Sequence, residues 1–456
     1  MRGYSAKMPS VYIKTYGCQM NERDSEAVAA QLMARGYSLA ASEAMADVVL
    51  LNTCSVRDMA EQKALHKMET LMHESRKRRP DVVLGFLGCM AQSRGRQLLD
   101  RLPDVDLVVG TQKFHRTAEY LDEILSGRRE KIVEVEAESR SEAAIREHLL
   151  NGSARKSVSA FVSIMQGCNQ YCTFCIVPYT RGEERSRTIP DILDECRNLI
   201  SRGVKEITLL GQIVTSFGKR EIPLREGKTA FVQLLEAVHE IEGLERIRFT
   251  SPHPKGYGDD LIAAYHRLPK LVESAHIPVQ SGSDRVLKLM HRGYTRSRYL
   301  EIIGKLRAAQ PGIGISTDFI VGFPGETEAD FQETLSLVSE VSFDQAFIFK
   351  YSERRDTPAA SMPDQVPQEE REERLQRLLN RVNEIAGKRY EILVGRSVEI
   401  LVEGPSKRNP ERLTGRTRCN KIVVFEGAER HIGQLMHVRI THTGSFTLYG
   451  DPAILE

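Results

Sequence analysis

Hydrophobic and polar positions in the first third of the chain alternate between short apolar runs and longer amphipathic stretches. The apolar runs predict strands, and the stretches with apolar residues at helical spacing predict helices. Strands are predicted at 11–15, 48–51, 82–87 and 105–109, and helices at 24–35, 57–78, 94–101 and 114–125. This alternation predicts a parallel α/β domain over residues 10–127. The polar, poorly periodic residues 128–153 are predicted to be a linker.

The middle of the chain, residues 154–387, repeats the alternation six times. Predicted strands lie at 160–164, 206–210, 246–250, 275–279, 313–320 and 345–350, with helical stretches between them. Six strand–helix units predict a partial (β/α)6 barrel, and a flat doubly wound sheet is the alternative. In either architecture, functional groups are expected just after the strands, on the carboxyl edge.

The last section, residues 388–454, changes to five short strands after one charged amphipathic helix. Short strands at this spacing predict a small β-barrel. Residues 396–421 carry seven basic and three acidic residues, whereas the whole chain has 64 Lys and Arg against 62 Asp and Glu. This local excess of positive charge is compatible with a nucleic-acid footprint, and a merely solvated face is the alternative.

Composition narrows the functional classes. No apolar run approaches the ~20 residues that span a bilayer, and the N-terminal residues lack the apolar core of a secretory signal. A cytoplasmic protein without membrane attachment is therefore expected, and in that compartment thiols stay reduced. Eight cysteines among 456 residues do not suit a disulfide scaffold, and clustered cysteines then indicate metal.

The most specific local signal is Cys168-x3-Cys172-x2-Cys175. Three thiolates in one loop leave a fourth coordination position open, whereas structural zinc takes four closed ligands. An iron–sulfur cluster with one iron left without a protein ligand fits this spacing better. Zinc and three merely buried cysteines remain the alternatives.

A second set of cysteines is dispersed along the first domain. Cys18, Cys54 and Cys89 each follow a predicted strand directly, and two of them are preceded by glycine. Because the carboxyl ends of parallel strands share one edge, the three thiols are expected to converge and to hold a second cluster with an open site. A single cysteine in such a place is more often a small buried hydrophobe. Cys196 and Cys419 are interpreted as structural.

The remaining strand ends of the middle section carry glycines and small polar residues, which allow a ligand to approach the backbone. Cofactor contacts are predicted at Gly211, Gln212, Ser251, Asp318 and Gly322. Asp318 either faces a polar ligand or satisfies a buried network. The mixed-charge stretch 181–187 either contacts phosphate or forms a surface ion-pair loop.

The Cys168 motif, with Phe174 before its last cysteine, resembles the signature of radical S-adenosylmethionine enzymes. The order of the three domains resembles the methylthiotransferases of that superfamily, from about Ser10 to Asp451. The resemblance implies that the open iron binds S-adenosylmethionine, with Phe174 against its adenine. It also implies a second [4Fe-4S] cluster on the dispersed cysteines and a C-terminal RNA-binding TRAM barrel.

Stretches 15–21, 52–57, 88–92 and 167–182 resemble the branch of this family that modifies tRNA. That branch inserts a methylthio group at C2 of isopentenyl-adenosine 37, beside the anticodon; one S-adenosylmethionine gives the methyl and a second gives a 5′-deoxyadenosyl radical. Implied partners are tRNA carrying that nucleoside and an electron donor such as flavodoxin or ferredoxin, and a monomer is expected. Phosphate contacts are predicted from Lys407, Arg408, Arg412, Arg416, Arg418 and Lys421.

One stretch departs from the family pattern. Ile213 and Thr215 stand where the family commonly has two amides, so no catalytic role is assigned to either. The competing functions are a sister branch that methylthiolates a ribosomal-protein aspartate or threonylcarbamoyl-adenosine, and a non-catalytic iron–sulfur protein that binds RNA or transfers electrons. Clusters of the non-catalytic class are expected to take four cysteines each, whereas this chain offers three and three.

Overall fold

The computed structural model describes residues 8–55, 58–138, 148 and 157–452. These residues form two compact units. The first comprises the described parts of Met1–Ser153, Met165–Tyr171 and Cys175–Arg187, and the second those of Ala154–Ile164, Cys172–Phe174 and Thr188–Glu456. No helix within the described residues is both long and apolar enough to cross a membrane.

The first unit is built on a six-stranded sheet that is parallel throughout. Its strands are β1 (Ser10–Tyr16), β2 (Ser38–Leu39), β3 (Val48–Thr53), β4 (Val83–Leu87), β5 (Leu107–Val109) and β6 (Ile132–Glu134), in the order β2-β1-β3-β4-β5-β6. Its helices are α1 (Gln19–Ala34), α2 (Asp58–Arg78), α3 (Cys89–Arg94), α4 (Gln97–Arg101) and α5 (Thr117–Leu125). The strands share two apolar cores with these helices. One core includes residues of α1 and α5, and the other includes residues of α2, α3 and α4. Strands β3 and β4 are therefore wholly buried, as expected for a parallel sheet covered on both faces.

Three boundaries in this unit differ from the sequence prediction. Helix α1 begins five residues earlier than predicted, at Gln19, and the single helix predicted at 94–101 is two short helices, α3 and α4, the first of which begins at Cys89. In α1 the extra turn buries polar side chains, which hydrophobic periodicity does not register. Strand β6 lies within the predicted linker 128–153, where three residues are too few to show a period. Residues 139–147 and 149–153 of that linker, and residue 57 of the second predicted helix, lie outside the described residues.

The chain enters the second unit with β7 (Ser159–Ser163) and then contributes β8 (Met165–Gln166), α6 (Val177–Arg181) and β9 (Arg185–Ser186) to the first unit. Strands β8 and β9 pair antiparallel. The short hairpin that they form carries the segment containing Cys168 and Cys175.

The second unit contains the predicted partial barrel. Its further elements are α7 (Ile189–Ser201), β10 (Glu206–Leu210), α8 (Ala230–His239), β11 (Arg246–Phe249), α9 (Asp259–Arg267), β12 (Ser274–His276), α10 (Asp284–Leu289), α11 (Arg296–Ala309), β13 (Gly314–Val321), α12 (Glu328–Val341) and β14 (Gln345–Lys350). Six parallel strands run in chain order, as β7-β10-β11 and β12-β13-β14, and a bridge from Ile247 to Leu271 follows the first set. A doubly wound sheet would reverse its order at one point, so the partial (β/α) barrel is confirmed.

The same unit ends in the predicted small β-barrel. Helix α13 (Gln368–Glu391) leads into β15 (Ser397–Pro405), β16 (Leu413–Thr417), β17 (Ile422–Phe425), β18 (Leu435–Thr443) and β19 (Thr447–Pro452). These five strands close in the order β15-β16-β17-β19-β18. Ile400, Val423, Phe425 and Val438 are among the residues that fill the barrel's core.

Candidate active site

The structure brings the three dispersed cysteines of the first unit to one edge of the sheet. Strands β1, β3 and β4 are neighbours, and Cys18, Cys54 and Cys89 follow their carboxyl ends. The backbone N–H of Cys54 donates to Tyr16 at 2.8 Å, which aligns the two strand ends. Because neighbouring strands lie about 4.8 Å apart, residues far apart in sequence meet here.

Two glycines permit this convergence. A Cβ on Gly17 would lie 2.4 Å from the Cβ of Cys54, and one on Gly88 would lie 2.3 Å from the side-chain oxygen of Asn52. Gly88 also has φ +98°, a conformation that side chains disfavour. The glycines before Cys18 and Cys89 are therefore required by close packing at the strand ends.

Two buried asparagine side chains are hydrogen-bonded to each other next to the three cysteines. The side-chain N–H of Asn21 donates to the Asn52 oxygen at 2.9 Å, and the Asn52 N–H groups donate to the Asn21 carbonyl and the Ser25 hydroxyl, both at 2.9 Å. Asn21 and Asn52 are completely buried. Because unpaired buried amides are costly, this reciprocal pairing holds the strand ends in a fixed arrangement.

Arg181 supplies a buried positive charge beside the thiols. Its Nη2 donates to Asp24 at 2.7 Å, and the guanidinium also lies within hydrogen-bonding reach of the Cys89 thiol. The interpretation of 181–187 as a surface ion-pair loop is wrong for Arg181 and Arg187, because both side chains are buried. The partner Asp24 lies 157 positions earlier in the chain, so no local pattern indicated the pair.

The electrostatic surroundings differ between the cysteines at this edge of the sheet. A hydrogen bond with Cys54, helped by the Arg181 charge, lowers the pKa of Cys18 to about 6 although burial opposes it. Burial raises the pKa of Cys89, and Arg181 counteracts part of that rise. A buried guanidinium beside three thiols suits an anionic, thiolate-bound group.

The geometry also constrains what the thiols hold. Within the described residues, no group of three or more His, Cys, Asp or Glu side chains is close enough to bind a single metal ion. A cluster of four irons makes a different demand, because each cysteine binds its own iron. Three converging thiols, held by the Asn21–Asn52 pair and placed beside the buried Arg181, fit such a cluster.

The cysteines of the 168–175 motif are divided between the units and are described within each. In the first unit the backbone N–H of Cys168 donates to Gly182 at 3.0 Å, and Cys168 is buried. In the second unit Cys172 accepts a hydrogen bond from Arg292 Nη1 at 3.4 Å. Arg292 is itself buried and also donates to the Pro278 carbonyl at 3.2 Å. Sequence reasoning missed Arg292, because it lies between two helices and not at a strand end.

Phe174 packs in the second unit against the loop that follows β13. Its ring meets Phe323 edge to face at a centroid distance of 6.5 Å, and the neighbouring Thr173 donates to the Leu289 carbonyl at 2.9 Å. The carboxyl end of β13 and the cysteine loop are thus connected within this unit.

Several buried polar atoms at the strand ends of the second unit have no partner among the described residues. They are Gln212 Oε1 after β10, His253 Nε2 after β11 and the Tyr351 hydroxyl after β14. Unpaired buried polar atoms are rare in native folds, so each of these three is a candidate for contact with water or a bound group. Their common position, at the carboxyl edge of the partial barrel, is the edge where ligands bind in such folds.

His253 is the second site residue that sequence reasoning missed. Burial, together with the charges of Arg292 and Lys255, lowers its pKa to about 2. Its Nδ1 accepts a hydrogen bond from the Lys255 backbone at 3.2 Å, so the proton of the neutral ring resides on Nε2. His253 thus presents a donor, not a base. The signal was present in the Ser251–Pro254 loop, but only Ser251 was selected from it.

The other predicted cofactor residues lie where the sequence placed them, just after or within the strands. Gly211 and Gly322 are buried, and Ser251 has a left-handed backbone with φ +56°. Asp318 lies on β13 with its Oδ2 3.4 Å from His276 Nε2, and His276 Nδ1 lies 3.0 Å from the Ser316 hydroxyl. Asp318 remains partly exposed, so it is not enclosed in a buried network.

Four of the six basic residues predicted to contact tRNA have a carboxylate partner within the second unit. Lys421 is buried and its Nζ lies 2.6 Å from Asp344, and Arg418 binds Glu273 at 2.6 Å. Arg416 Nε donates to Glu403 at 2.9 Å. The prediction is corrected most clearly for Lys421, because a lysine buried on an internal carboxylate cannot meet a phosphate.

These contacts arise because the end of the β16–β17 hairpin docks against the amino-terminal ends of the partial-barrel strands. Arg246, at the start of β11, donates to the Arg416 carbonyl and to Glu399, each at 2.7 Å. Arg248 donates to the Thr417 carbonyl at 2.8 Å. Lys407 and Arg408, by contrast, are exposed, and Arg412 is partly exposed beside Glu426 at 3.2 Å.

Comparisons with known families agree with this architecture. The radical SAM superfamily profile matches residues 162–338, that of the uncharacterized protein family UPF0004 matches 10–110, and that of the TRAM domain matches 391–453. Among solved structures, the radical S-adenosylmethionine methyltransferase TsrM from Kitasatospora setae has a similar fold. Its TM-score is 0.57 at 12% identity, over 78% of this chain and 77% of that one.

Curated relatives are much more similar in sequence. Proteins from Opitutus terrae and Akkermansia muciniphila named tRNA-2-methylthio-N(6)-dimethylallyladenosine synthase are each 52% identical to this chain. The alignments cover 97% of both chains for the first, and 98% of this chain and 99% of the relative for the second. Identity at that level over nearly full length confirms the family predicted from the cysteine motifs. The chain belongs to the radical S-adenosylmethionine methylthiotransferase family, among relatives named tRNA-2-methylthio-N(6)-dimethylallyladenosine synthase.

Proposed function

We propose that this protein is a tRNA methylthiotransferase that converts N6-isopentenyl-adenosine at position 37 into its 2-methylthio derivative. The observation that carries the proposal is the convergence of Cys18, Cys54 and Cys89 at one sheet edge, in a chain that also contains the 168–175 motif. Two sets of three thiols leave an open position on each of two [4Fe-4S] clusters. The relatives' names supply the substrate.

The reaction replaces hydrogen on C2 of adenine by a methylthio group. That C–H bond is strong and not acidic, so acid–base catalysis by a side chain is inadequate. When bound, the two clusters and S-adenosylmethionine supply a cofactor-derived radical and a methylated sulfur, and the protein's contribution is binding and orientation. No side chain is assigned as a general base, consistent with a His253 that is neutral and protonated on Nε2.

The chain's own residues have separable roles in this proposal. Arg181 balances the negative charge of the thiolates at Cys18, Cys54 and Cys89. In the second unit, Gln212 and His253 offer the unpaired polar atoms for S-adenosylmethionine, together with the strand-end residues Gly211, Ser251, Asp318 and Gly322. Phe174 is proposed to lie against the adenine of the cofactor.

The C-terminal barrel is proposed to hold the anticodon stem through Lys407, Arg408 and Arg412. Phosphate contacts release counterions, so affinity should fall as salt is raised. An electron donor such as flavodoxin or ferredoxin, a monomeric enzyme and a cytoplasmic location complete the proposal, since the tRNA substrate is found there.

The decisive experiment is anaerobic reconstitution with iron and sulfide, followed by reaction with an anticodon stem-loop carrying isopentenyl-adenosine. The wild-type chain should bind about eight irons, and alanine at 18, 54 and 89 should leave about four. Alanine at 168, 172 and 175 should abolish formation of deoxyadenosine. Four irons in the wild type, unchanged by the first triple variant, would refute the two-cluster proposal.

The sister-branch function is tested separately. Mass spectrometry of tRNA and ribosomal protein from a deletion strain shows which macromolecule loses its methylthio group. Loss from a ribosomal-protein aspartate or from threonylcarbamoyl-adenosine, with isopentenyl-adenosine still methylthiolated, would contradict the substrate assignment and leave the cluster assignment intact.

A further inference from the structure

An exposed pair of tyrosines lies in the first unit beside the segment that carries the 168–175 motif. Tyr171 and Tyr179 are 48% and 50% exposed, and all other tyrosines among the described residues are buried or partly buried. Their rings contact each other edge to face, with centroids 6.3 Å apart. Two large aromatic faces are thus presented together to solvent, next in sequence to Cys172.

The backbone that carries Tyr171 is held rigidly. Asn169 and Glu184 exchange hydrogen bonds, at 3.4 Å from the Asn169 N–H and 3.2 Å from the Glu184 N–H. A Cβ on Gly167 would lie 1.8 Å from the Glu183 carbonyl oxygen, so the two sides of the hairpin are in direct contact.

Tyr171 itself adopts a left-handed backbone, with φ +47°. That conformation is uncommon for a bulky residue and persists only where the surrounding structure imposes it. The exposed ring of Tyr171 is therefore carried by a backbone conformation that the surrounding hairpin imposes.

Tyr179 is fixed by the other side of the pair. It lies on α6, whose Thr180 carbonyl accepts a hydrogen bond from the Thr111 hydroxyl at 2.6 Å. The next residue, Arg181, is anchored on Asp24. Both tyrosines are therefore pre-positioned, and binding a ligand on them requires little ordering of the protein.

We propose that Tyr171 and Tyr179 form a stacking platform for an unpaired anticodon-loop base that flanks the modified adenosine. This inference rests on the proposed function and adds the element that positions the substrate loop. Proteins that bind single-stranded RNA stack splayed bases on exposed aromatic rings. A base beside position 37 must come close to the cysteine loop, because position 37 itself reacts there. The two edge-to-face rings offer one flat face and one edge to such a base.

The experiment uses the reconstituted full chain and an anticodon stem-loop with isopentenyl-adenosine at 37 and 2-aminopurine at 36 or 38. Wild-type binding should quench 2-aminopurine at one of these positions, because stacking on an aromatic ring quenches its emission. Tyr171→Leu and Tyr179→Leu should each weaken binding by about 5- to 150-fold and remove the quenching. Tyr171→Phe and Tyr179→Phe should retain both, since the ring and not the hydroxyl carries the effect.

Two controls keep the result interpretable. Met45→Ala removes another exposed apolar side chain of the same unit, 69% exposed, and should bind like the wild type. Iron content and RNA-independent deoxyadenosine formation show whether a variant retains its clusters. If Tyr171→Leu loses iron, Tyr179→Leu decides, because it is four residues from the nearest cysteine.

The outcomes separate this inference from the proposed function. If the wild type does not methylthiolate the stem-loop, the proposed function fails whatever the tyrosines do. If the wild type reacts and the leucine variants bind and quench as it does, the platform alone is refuted. Weaker binding by the leucine variants without any quenching in the wild type also overturns stacking.

Discussion

Replacing Lys421 with methionine should destabilise the second unit without changing how RNA binding depends on salt. Its charge was predicted from the sequence to contact tRNA, but its Nζ lies 2.6 Å from Asp344 Oδ1 and both side chains are buried. The ammonium also lies 5.2 Å above the Tyr390 ring. Methionine keeps most of the volume and removes only the charge and its hydrogen bonds.

The size of the expected stability loss depends on the hydrogen-bond and ion-pair partners that Asp344 retains in the variant. Removing one member of a buried ion pair typically costs about 3–5 kcal/mol. Asp344 retains Arg389 at 3.0 Å and the Ile315 backbone N–H at 3.0 Å, so its charge stays partly compensated. We therefore expect a loss at or just below the bottom of that range, about 2–3 kcal/mol. In a unit of this size, that loss lowers the melting temperature by about 3–5 °C.

The assay combines calorimetry with RNA binding over a range of salt concentrations. Lys407→Met is the matched control, because Lys407 is an exposed lysine of the same small barrel. It should melt like the wild type and reduce the salt dependence of binding by about one phosphate contact. Lys421→Met should melt at a lower temperature than the wild type and keep the wild-type salt dependence of binding.

Two results would contradict a structural role for Lys421. If Lys421→Met melts within about 1 °C of the wild type, the buried pair contributes too little to explain the docking of the hairpin. If it also lowers the salt dependence of RNA binding by one contact, the side chain reaches phosphate and the sequence prediction was right.

Three further predictions test other parts of the structure. Gly88→Ala should lower the iron content from about eight toward about four, measured after reconstitution, because its Cβ would lie 2.3 Å from the Asn52 oxygen; full iron occupancy would show that the strand end relaxes. Asp330→Asn should destabilise the protein most at neutral pH. Burial acts to raise the pKa of Asp330, but hydrogen bonds from Arg285, Ser283 and Thr327 outweigh burial and lower it. A carboxyl group whose pKa is lowered by folding stabilises the protein at pH values above its unfolded pKa. The difference in unfolding free energy between wild type and variant should therefore shrink as the pH falls below about 4. Replacing both Lys407 and Arg408 with glutamine should lower the salt slope of RNA binding by about two without changing the melting temperature, and an unchanged slope would exclude them as contacts.

Local pattern was sufficient for most of the fold. The six strands of the partial barrel and the five of the small barrel were predicted to within a few residues, because buried strands and amphipathic helices have different periods. It failed where burial involved polar residues, as at the start of α1, or where an element was too short to show a period, as in β6. Hydrophobic periodicity contains no information on such segments.

The cysteines could be grouped from sequence because each followed a strand, and parallel strands share a carboxyl edge. The charged side chains around these cysteines could not be predicted from the sequence. Arg181 reaches Asp24 across 157 positions, and Arg292 reaches Cys172 across 120. Pairs of charges that meet only in the folded chain leave no local signature, so these two guanidinium groups appeared only with the structure.

The sequence by itself determined the fold class, the family and the two sets of three cysteines, because all of these depend on spacing along the chain. The tertiary structure decided which basic side chains are exposed to solvent and which form internal ion pairs. Of the basic residues near the end of the chain, it leaves Lys407 and Arg408 at the surface and buries Lys421 on Asp344. A lysine has the same charge in either position, and only its surroundings determine whether that charge binds RNA or holds two barrels together.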